Sequence, residues 1–389
     1  MTVFNDVSRT DGSPARYSES MYEFLDRSST ASAAQVRSVI EDWFSELPAA
    51  SKDGYRSRLQ ARADGFWGAY WELLLHAVFV RMDGVEIDVG PAVGFLTPDF
   101  RIRSSGIAAY VEAKVLLEPR PDALSEARQA SILDSLSSLR TTDVWLDVSF
   151  VEEGDTTPGL SALGREIQSW IDGLDADELL GDWQPGSAQQ PSVVSYDFHA
   201  GDWALRVAAI PRSRDRRVQS EGFHIGPGRG RMVDDHDAIR KAFIEKAGRY
   251  RGKLDAPLVP AIYNGRWTAA EHETALALYG VAWEHPEMMA AVHIPSSWRD
   301  VPEGMWITRS GAQYQEIDAV LSGHWAGPYG LPLTELTIWY PPWDHFEWLQ
   351  SPYLGRREPD NEGRLVATPP ALPLRDLLGL PADWPKQDG

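Results

Sequence analysis

The chain has 389 residues, of which 43% are hydrophobic and 24% are charged, and this balance excludes intrinsic disorder, collagen and a coiled coil as descriptions of the whole. It contains no cysteine, which excludes a disulfide framework, a thiol nucleophile and a zinc site built on thiolates. The net charge of −20 disfavours non-specific nucleic-acid binding, which depends on neutralising phosphates. One region, from Arg212 to Lys253, is nevertheless locally basic, with twelve Lys or Arg against six Asp or Glu.

The N-terminal part of the chain predicts a polar lead followed by helices. Residues 1–30 are polar and rich in serine, and we expect them to be loosely ordered. Apolar residues spaced three and four apart predict a helix over 33–47 and a more apolar helix over 64–82. The first residues lack the pattern of a secretory signal, and the apolar stretch 65–80 is too short to span a bilayer. We therefore expect a cytoplasmic protein that has no membrane contact.

Further along, strand and helix patterns alternate, which predicts an α/β protein with a mixed central sheet flanked by helices. The predicted strands are 85–90, 98–105, 106–117, 143–151, 192–198, 203–210, 256–264 and 332–340. The predicted helices are 122–140, 159–174, 236–252 and 269–280. For the domains we expect a helical lead at 1–60, a main domain at 61–280 with an insertion around 155–235, and an irregular Trp/Pro-rich extension at 281–389.

The hairpin formed by 98–105 and 106–117 places charged residues together. If Ser105-Gly106 is the turn, antiparallel pairing puts Asp99 opposite Glu112, and Lys114 follows on the same face by the strand period of two. Two opposed carboxylates destabilise a sheet unless positive charge lies near them. The hairpin therefore predicts a divalent metal with a lysine beside it, and oxygen ligands favour Mg²⁺ or Mn²⁺ over Zn²⁺.

The predicted helix 64–82 contains a glutamate, Glu72, among aromatic and aliphatic residues. A helix that is apolar on every side is expected to be buried, and burying an unpaired carboxylate costs several kcal/mol. Glu72 thus needs a partner or a metal-linked role. His76, one turn later on the same face, is the candidate.

These features together resemble the PD-(D/E)xK nuclease superfamily, which has the restriction-endonuclease-like fold. The order of one helix and three strands is similar to the opening of that fold. The residues that carry the resemblance are Glu72, Pro98-Asp99 and Glu112-Ala113-Lys114.

The resemblance implies a role for each of these residues. Asp99 and Glu112 would ligate Mg²⁺ or Mn²⁺, aided by the main-chain carbonyl of Ala113. Lys114 would position or activate the attacking water, and Glu72 would bind a second metal or its water. The implied activity is metal-dependent hydrolysis of phosphodiester bonds by an endonuclease, with DNA as the substrate. The catalytic set is Glu72, Asp99, Glu112 and Lys114.

Two assignments of the helix and strand that complete this core are open. The simpler one takes 122–140 with 143–151. The alternative takes 236–252 with 256–264, which would make about 120 residues an elaboration. Lys246 and Tyr250 in that second helix are spaced i, i+4 and resemble the polar-x-x-x-Tyr motif of some family members, although a solvated lysine and an edge-packed tyrosine are the ordinary interpretation.

The basic region predicts contacts to nucleic acid. The candidate nucleic-acid-binding residues are Arg212, Arg214, Arg216, Arg217 and Lys246, with a merely solvated face as the alternative. The glycine-rich segment 225–231 fits either an anion-binding nest or an ordinary turn. The acidic run Asp234 to Asp237 favours a helix N-terminus over a metal site.

Two rival functions stay open at this point: an inactive nucleic-acid-binding or assembly module of the same fold, and a phosphoesterase for small nucleotides. Since the chain as a whole is acidic, a homodimer or a partner protein that supplies affinity for DNA is also expected.

Overall fold

A computed structural model of the chain describes residues 1–62, 64–117, 123–181, 192–214, 223–224, 235–265, 271–280, 303–308, 310–343 and 349–385. The chain divides into two compact units. The first unit consists of Met1–Ser13, Ser20–Glu118 and Asp234–Gly389, and the second consists of Pro14–Glu19 and Pro119–Val233. In the described parts of the chain, no helix combines the length and apolarity that a membrane crossing needs.

The helices and strands are numbered in chain order. The α-helices are α1 Met21–Arg27, α2 Ala31–Glu46, α3 Ala49–Leu59, α4 Asp64–Arg81, α5 Ala123–Ser137, α6 Leu160–Asp172, α7 Ala176–Leu180, α8 Asp235–Tyr250, α9 Glu271–Tyr279 and α10 Leu374–Leu377. The strands are β1 Val85–Val89, β2 Phe100–Ser104, β3 Ile107–Leu116, β4 Val144–Glu152, β5 Val194–Ala200, β6 Trp203–Pro211, β7 Phe223–His224, β8 Leu258–Asn264, β9 Ile307–Thr308, β10 Gly311–Ala312, β11 Val320–His324, β12 Glu335–Trp339, β13 Gly355–Pro359 and β14 Leu365–Thr368.

The first unit is built on a mixed sheet of eight strands in the order β1-β2-β3-β8-β11-β12-β13-β14. Strands β1, β2 and β3 form an antiparallel meander. Strand β8 lies parallel to β3 on one side and to β11 on the other. The α/β class and the mixed central sheet that the sequence predicts are therefore confirmed.

Helices cover both faces of this sheet because its strands alternate apolar side chains between two cores. On one face, α4 packs on β3, β8 and β11 with α2 packed against α4, and their core includes Trp43, Trp71, Val111, Val259 and Leu321. On the other face, α8 and α9 pack on β8, β11 and β12, and their core includes Ile239, Phe243, Ile262, Leu278 and Val320. Strand β3 thus presents odd-numbered side chains to α4 and even-numbered ones toward α8.

The register of the β2–β3 hairpin is the predicted one. Ser104 pairs with Ile107 and Phe100 pairs with Val111. The two turn residues, Ser105 and Gly106, both have positive φ, at 51° and 82°. This is the backbone of a type I′ turn, whose twist matches the flanking strands.

The second unit is a four-stranded sheet in the order β5-β6-β4-β7. Helices α5 and α6 pack on it around an apolar core that contains Ile132, Ile167, Val148 and Leu205. The predicted hairpin of 192–198 and 203–210 is present as β5 and β6, with Gly201 at positive φ in its turn.

The arrangement of units differs from the expected domains. Residues 1–13 and 20–60 of the expected lead, and the expected extension 281–389, belong to the first unit, and the inserted unit begins near 119 rather than 155. Residues 1–30 are not loosely ordered as expected, because Val3, Phe4 and Leu25 are buried in the main core. The C-terminal part is not an irregular addition either, since it supplies four strands of the central sheet.

Candidate functional site

Asp99 and Glu112 come together at the base of the β2–β3 hairpin. Asp99 directly precedes β2, one step beyond the Phe100–Val111 pair, so the register continues to Glu112 in β3. The main-chain N–H of Ala113 donates to Asp99 Oδ2 at 2.7 Å, which anchors the carboxylate against β3. The sequence prediction that these two carboxylates share one place is therefore realised in the geometry.

Asp99 lies in an environment that disfavours its negative charge. Although its side chain keeps some exposed surface, burial raises the pKa of Asp99 well above the ordinary value, and the carboxylates of Glu72 and Glu112 raise it further. The Ala113 N–H and the Lys246 ammonium act in the opposite direction but are outweighed. Three carboxylates therefore influence one another here, and a cation close to Asp99 would relieve their repulsion.

Glu112 is almost fully buried, at 4% exposure, and α8 supplies partners for both of its oxygens. Lys246 Nζ donates to Oε1 at 2.7 Å and the Tyr250 hydroxyl donates to Oε2 at 2.8 Å. The guanidinium of Arg249 lies 3.7 Å from Oε1. Burial and the hydrogen bond to Glu112 raise the pKa of Tyr250 above its ordinary value.

This contact decides between the two assignments left open by the sequence. Helix α8 and strand β8 stand beside β3 and complete the sheet around the site, whereas β4 belongs to the sheet of the second unit. Lys246 and Tyr250, one turn apart on α8, are not a solvated lysine and an edge-packed tyrosine: both bind Glu112.

Lys114 lies on the same face of β3 as Glu112, two positions further along the strand. Its side chain is half-buried, and it makes no hydrogen bond or ion pair with any residue that the structure describes. A lysine in this position is available to an incoming group.

Glu72, on α4, has a partner that the sequence did not predict. Arg58, on α3, binds it with both terminal nitrogens, from Nη1 to Oε1 and from Nη2 to Oε2, each at 2.6 Å. The ring of Tyr55 lies under this guanidinium, 4.7 Å from Cζ to the ring centroid. Burial and the carboxylates of Glu72 and Asp99 raise the pKa of Tyr55.

The expectation that His76 pairs with Glu72 is wrong. His76 is buried and packs toward Phe100, and its Nδ1 has no hydrogen-bond partner among the described residues. Burial lowers the pKa of His76, which keeps the ring neutral. A neutral imidazole satisfies a carboxylate less well than the charged, bidentate guanidinium of Arg58.

The carboxylates of the site meet the requirements of a metal ion only through their chemistry: Asp99, Glu112 and Glu72 are the oxygen ligands that lie close together here. No group of three or more His, Asp or Glu side chains within the described ranges is arranged to hold a metal ion. Asp99 and Glu112 nevertheless provide two carboxylates, and Mg²⁺ is commonly bound by one or two carboxylates together with waters and substrate phosphates. The carboxylates of Glu72 and Glu112 that raise the pKa of Asp99 add negative charge around it, and this surrounding charge also fits a divalent cation. The pair therefore fits Mg²⁺ or Mn²⁺, whereas Glu72 is held by the bidentate guanidinium of Arg58.

The predicted strip of nucleic-acid contacts is not realised at its first residue. Arg212 is 1% exposed, donates from Nε to the Val144 carbonyl, and stacks on Trp145 at 3.8 Å, so it is not a surface contact. Arg214 is exposed but forms an ion pair with Asp177 at 2.9 Å. Two of the predicted contacts, Arg216 and Arg217, lie outside the described residues. Lys246, the fifth, binds Glu112.

The other two predicted features of the basic region are only partly visible. Segment 225–231 and Asp234 lie outside the described residues. Asp235 is the first residue of α8 and is fully buried, and the main-chain N–H of His236 donates to Glu273 at 2.8 Å. Asp237 forms an ion pair with Arg240 at 3.0 Å, one turn along the helix. These contacts agree with a helix N-terminus.

Comparison with known proteins gave no relative. No protein-family model, curated protein or solved structure matches the chain.

Proposed function

We propose that this protein is a Mg²⁺- or Mn²⁺-dependent nuclease that hydrolyses phosphodiester bonds in DNA at the site formed by Asp99, Glu112 and Lys114. The observation that carries the proposal is the meeting of Asp99 and Glu112 at the base of the hairpin, beside Lys114, which has no partner among the described residues. Two neighbouring carboxylates and a lysine are the groups that metal-assisted phosphodiester hydrolysis requires.

The order of elements around the site supports the same reading. Helix α4, the meander β1-β2-β3, and then helix α8 with the parallel strand β8 are similar to the core of the PD-(D/E)xK nucleases, with the second unit inserted after β3 in the sequence. On this proposal the restriction-endonuclease-like fold describes the first unit.

Asp99 and Glu112 would hold the metal ion. When bound, such an ion activates a water molecule and neutralises charge on the phosphate. The contacts from Lys246 and Tyr250 hold the Glu112 carboxylate in one orientation, and a carboxylate has about four acceptor positions, so two hydrogen bonds leave lone pairs for a metal. The Ala113 N–H holds Asp99 in the same way.

Lys114 would act directly on the reacting groups. Its ammonium is positioned on the Glu112 face of β3 and can donate to the attacking water or to a phosphate oxygen. Because it has no competing partner among the described residues, it loses no existing contact when substrate binds.

A non-catalytic module of the same fold is the second candidate, and one observation favours it. Every oxygen of Glu72 and Glu112 accepts a hydrogen bond from a side chain of the protein, so both carboxylates are satisfied without a metal. A module of this kind would neither bind Mn²⁺ at Asp99 nor cut DNA.

The deciding experiment measures cleavage of plasmid and single-stranded DNA with Mg²⁺, Mn²⁺ or EDTA. Variants D99N, E112Q and K114A are compared with wild type, and E86Q serves as control because Glu86 is an exposed carboxylate on the same meander. We expect metal-dependent cleavage that falls by about 10²-fold or more in the three site variants and not in the control.

Cleavage that persists in D99N and E112Q would contradict the proposed site. Absence of both cleavage and Mn²⁺ binding in the wild type would favour the non-catalytic module. A small dinucleotide in the substrate panel separates a nuclease from a phosphoesterase for small nucleotides. If a homodimer or partner supplies affinity for DNA, cleavage rises with protein concentration more steeply than linearly.

A further inference from the structure

The ion pair between Arg58 and Glu72 is built asymmetrically. The side chain of Glu72 is 9% exposed, whereas that of Arg58 is 43% exposed. The glutamate is therefore enclosed by protein, and the guanidinium it holds has a face open to solvent. An anion in solution can therefore reach the exposed part of the guanidinium.

The geometry leaves part of the guanidinium available. Only the two terminal nitrogens bind Glu72, one hydrogen bond each, and a guanidinium carries five N–H donors. Three donors, including Nε–H, therefore remain for another acceptor. Within the described residues, no second acceptor for Arg58 is present.

The orientation of Arg58 is fixed in advance of any ligand. Glu72 grips one edge of the guanidinium from α4, and the Tyr55 ring supports its plane from within α3. Tyr55 is itself buried, at 5% exposure. A guanidinium held along one edge and one face loses little further freedom when it binds an anion.

Arg58 belongs to the same electrostatic environment as the candidate metal site. The carboxylates of Glu72 and Asp99 both raise the pKa of Arg58. Three cationic side chains, Arg58, Lys246 and Lys114, accompany the three carboxylates of Glu72, Asp99 and Glu112, so the formal charges of these six groups sum to zero. A divalent cation would then give the site an excess of positive charge, which suits a phosphate.

We propose that Arg58 binds the non-bridging oxygens of the DNA phosphate that is cut, and that Glu72 is a positioning residue for Arg58 rather than the ligand of a second metal. The inference rests on the proposed function, since it takes the anion to be the phosphodiester of DNA. The planar fork of an arginine fits paired phosphate oxygens, which a lysine cannot match.

The test separates DNA binding from metal binding and from cleavage. Affinity for a short fluorescein-labelled DNA is measured by anisotropy in Ca²⁺, with Mn²⁺ affinity measured by calorimetry without DNA. We expect R58K to lower DNA affinity by about tenfold or more while Mn²⁺ affinity stays unchanged. The matched control is R62A, because Arg62 lies just beyond α3, is 71% exposed and pairs only with Glu23 among the described residues.

A second variant guards against misfolding. Removing only Arg58 leaves a buried charge, whereas the double variant R58Q/E72Q removes both charges together and is tolerated better. We expect this double variant to melt near the wild-type temperature and to lose DNA affinity as R58K does. Glu72→Gln alone keeps Arg58, and we expect it to retain Mn²⁺ affinity.

Three outcomes would overturn the assignment: a wild type that binds no DNA, an R58K variant that binds DNA as well as R62A does, or an E72Q variant whose Mn²⁺ affinity falls by about tenfold. These are distinct from failure of the proposed function. If DNA binding depends on Arg58 but no metal supports cleavage, the phosphate site stands and the nuclease proposal falls. If the wild type cleaves DNA and R58K binds it normally, the nuclease proposal stands and the assignment of Arg58 to the phosphate falls.

Discussion

Two buried glutamates in the first unit are satisfied in different ways. Glu72 is gripped by one arginine through two parallel hydrogen bonds of 2.6 Å. Glu112 instead shares its oxygens between an ammonium and a neutral phenol, at 2.7 and 2.8 Å. The first arrangement uses both oxygens on a single rigid cation. The second holds the carboxylate with two separate donors from one helix, each of which bonds a single oxygen.

The comparison bears on which glutamate would hold the metal of the proposed nuclease. A bidentate guanidinium matches the shape of a carboxylate and is hard to displace. A lysine and a tyrosine act at single points and can remain in place while the carboxylate accepts a further ligand. Glu112 therefore suits direct contact with a metal, and Glu72 suits the positioning of Arg58.

The largest expected effect on stability comes from breaking the tighter pair. Arg58→Ala leaves Glu72 buried without its counter-charge, and we expect it to lower the free energy of unfolding by about 3 kcal/mol. This figure is at the low end for a buried pair, because water reaches the exposed side of Arg58. Urea unfolding measures the change. The control R62A removes a surface ion pair and is expected to cost about 0–1 kcal/mol, and equal losses in the two variants would contradict the comparison.

Removing one donor from the other glutamate should cost less. Tyr250→Phe deletes the hydrogen bond to Glu112 Oε2 but leaves Lys246 in place, and we expect a loss of about 2 kcal/mol in urea unfolding. Tyr110→Phe is the matched control, because Tyr110 lies on β3, the strand that carries Glu112. Its hydroxyl donates to Asp255 at 2.7 Å, but that carboxylate is exposed, so we expect about 0.5 kcal/mol. A Y250F loss no larger than that of Y110F would mean that Glu112 is solvated.

The turn that sets the register of Asp99 and Glu112 gives a smaller effect. Gly106 has φ of 82°, so Gly106→Ala strains the backbone and is expected to cost about 1 kcal/mol in the same assay. Gly54→Ala should act in the opposite direction, because Gly54 lies inside α3 with no atom near its added methyl group, and it should stabilise by about 0.5–1 kcal/mol. Similar signs for the two substitutions would contradict the assigned turn.

This turn also shows which features can be predicted from the sequence alone. Period two and the Ser105-Gly106 turn were enough to predict the pairing of 104 with 107 and the meeting of Asp99 with Glu112, because both depend on local geometry. The sequence alone does not determine which helix completes the core, since α8 follows β3 only after the whole inserted unit. The i, i+4 spacing of Lys246 and Tyr250 was the one local signal for it.

Arg58 was missed for a physical reason. Helix α3 buries only Tyr55 and Leu59, so it has no apolar period from which to predict a helix. A buried Glu72 requires a partner, but the i, i+4 spacing rule points only to residues of the same helix. The partner comes instead from the preceding one, and no single-helix spacing rule reaches across that connection.

Strands β11, β13 and β14 are absent from the strands that the sequence predicts. Strand β13 carries three charged residues, and β11 contains Ser, Gly and His, so neither shows the alternation of a predicted strand. Both are strands because neighbouring strands pair with them, which is a tertiary effect.

The smallest expected effect concerns His76, the residue that does not pair with Glu72. Burial lowers its pKa in the folded chain, with Glu46 of α2 opposing this change and Arg81 of α4 reinforcing it. Above the ordinary histidine pKa of about 6.5 the ring is neutral in both the folded and the unfolded chain, and it contributes no pH dependence. Below that value the unfolded chain takes up a proton that the folded chain resists, so stability falls as the pH is lowered.

His76→Gln isolates this contribution from that of the other titrating groups. We expect the variant to lose stability less steeply than the wild type between neutral pH and pH of about 5, when the two are compared by urea unfolding at each pH. If His76 were instead protonated and paired with Glu72, its pKa would be raised, and the pH dependence would have the opposite sign. An H76Q profile that falls more steeply than the wild type would therefore return Glu72 to His76 and remove the basis for assigning it to Arg58.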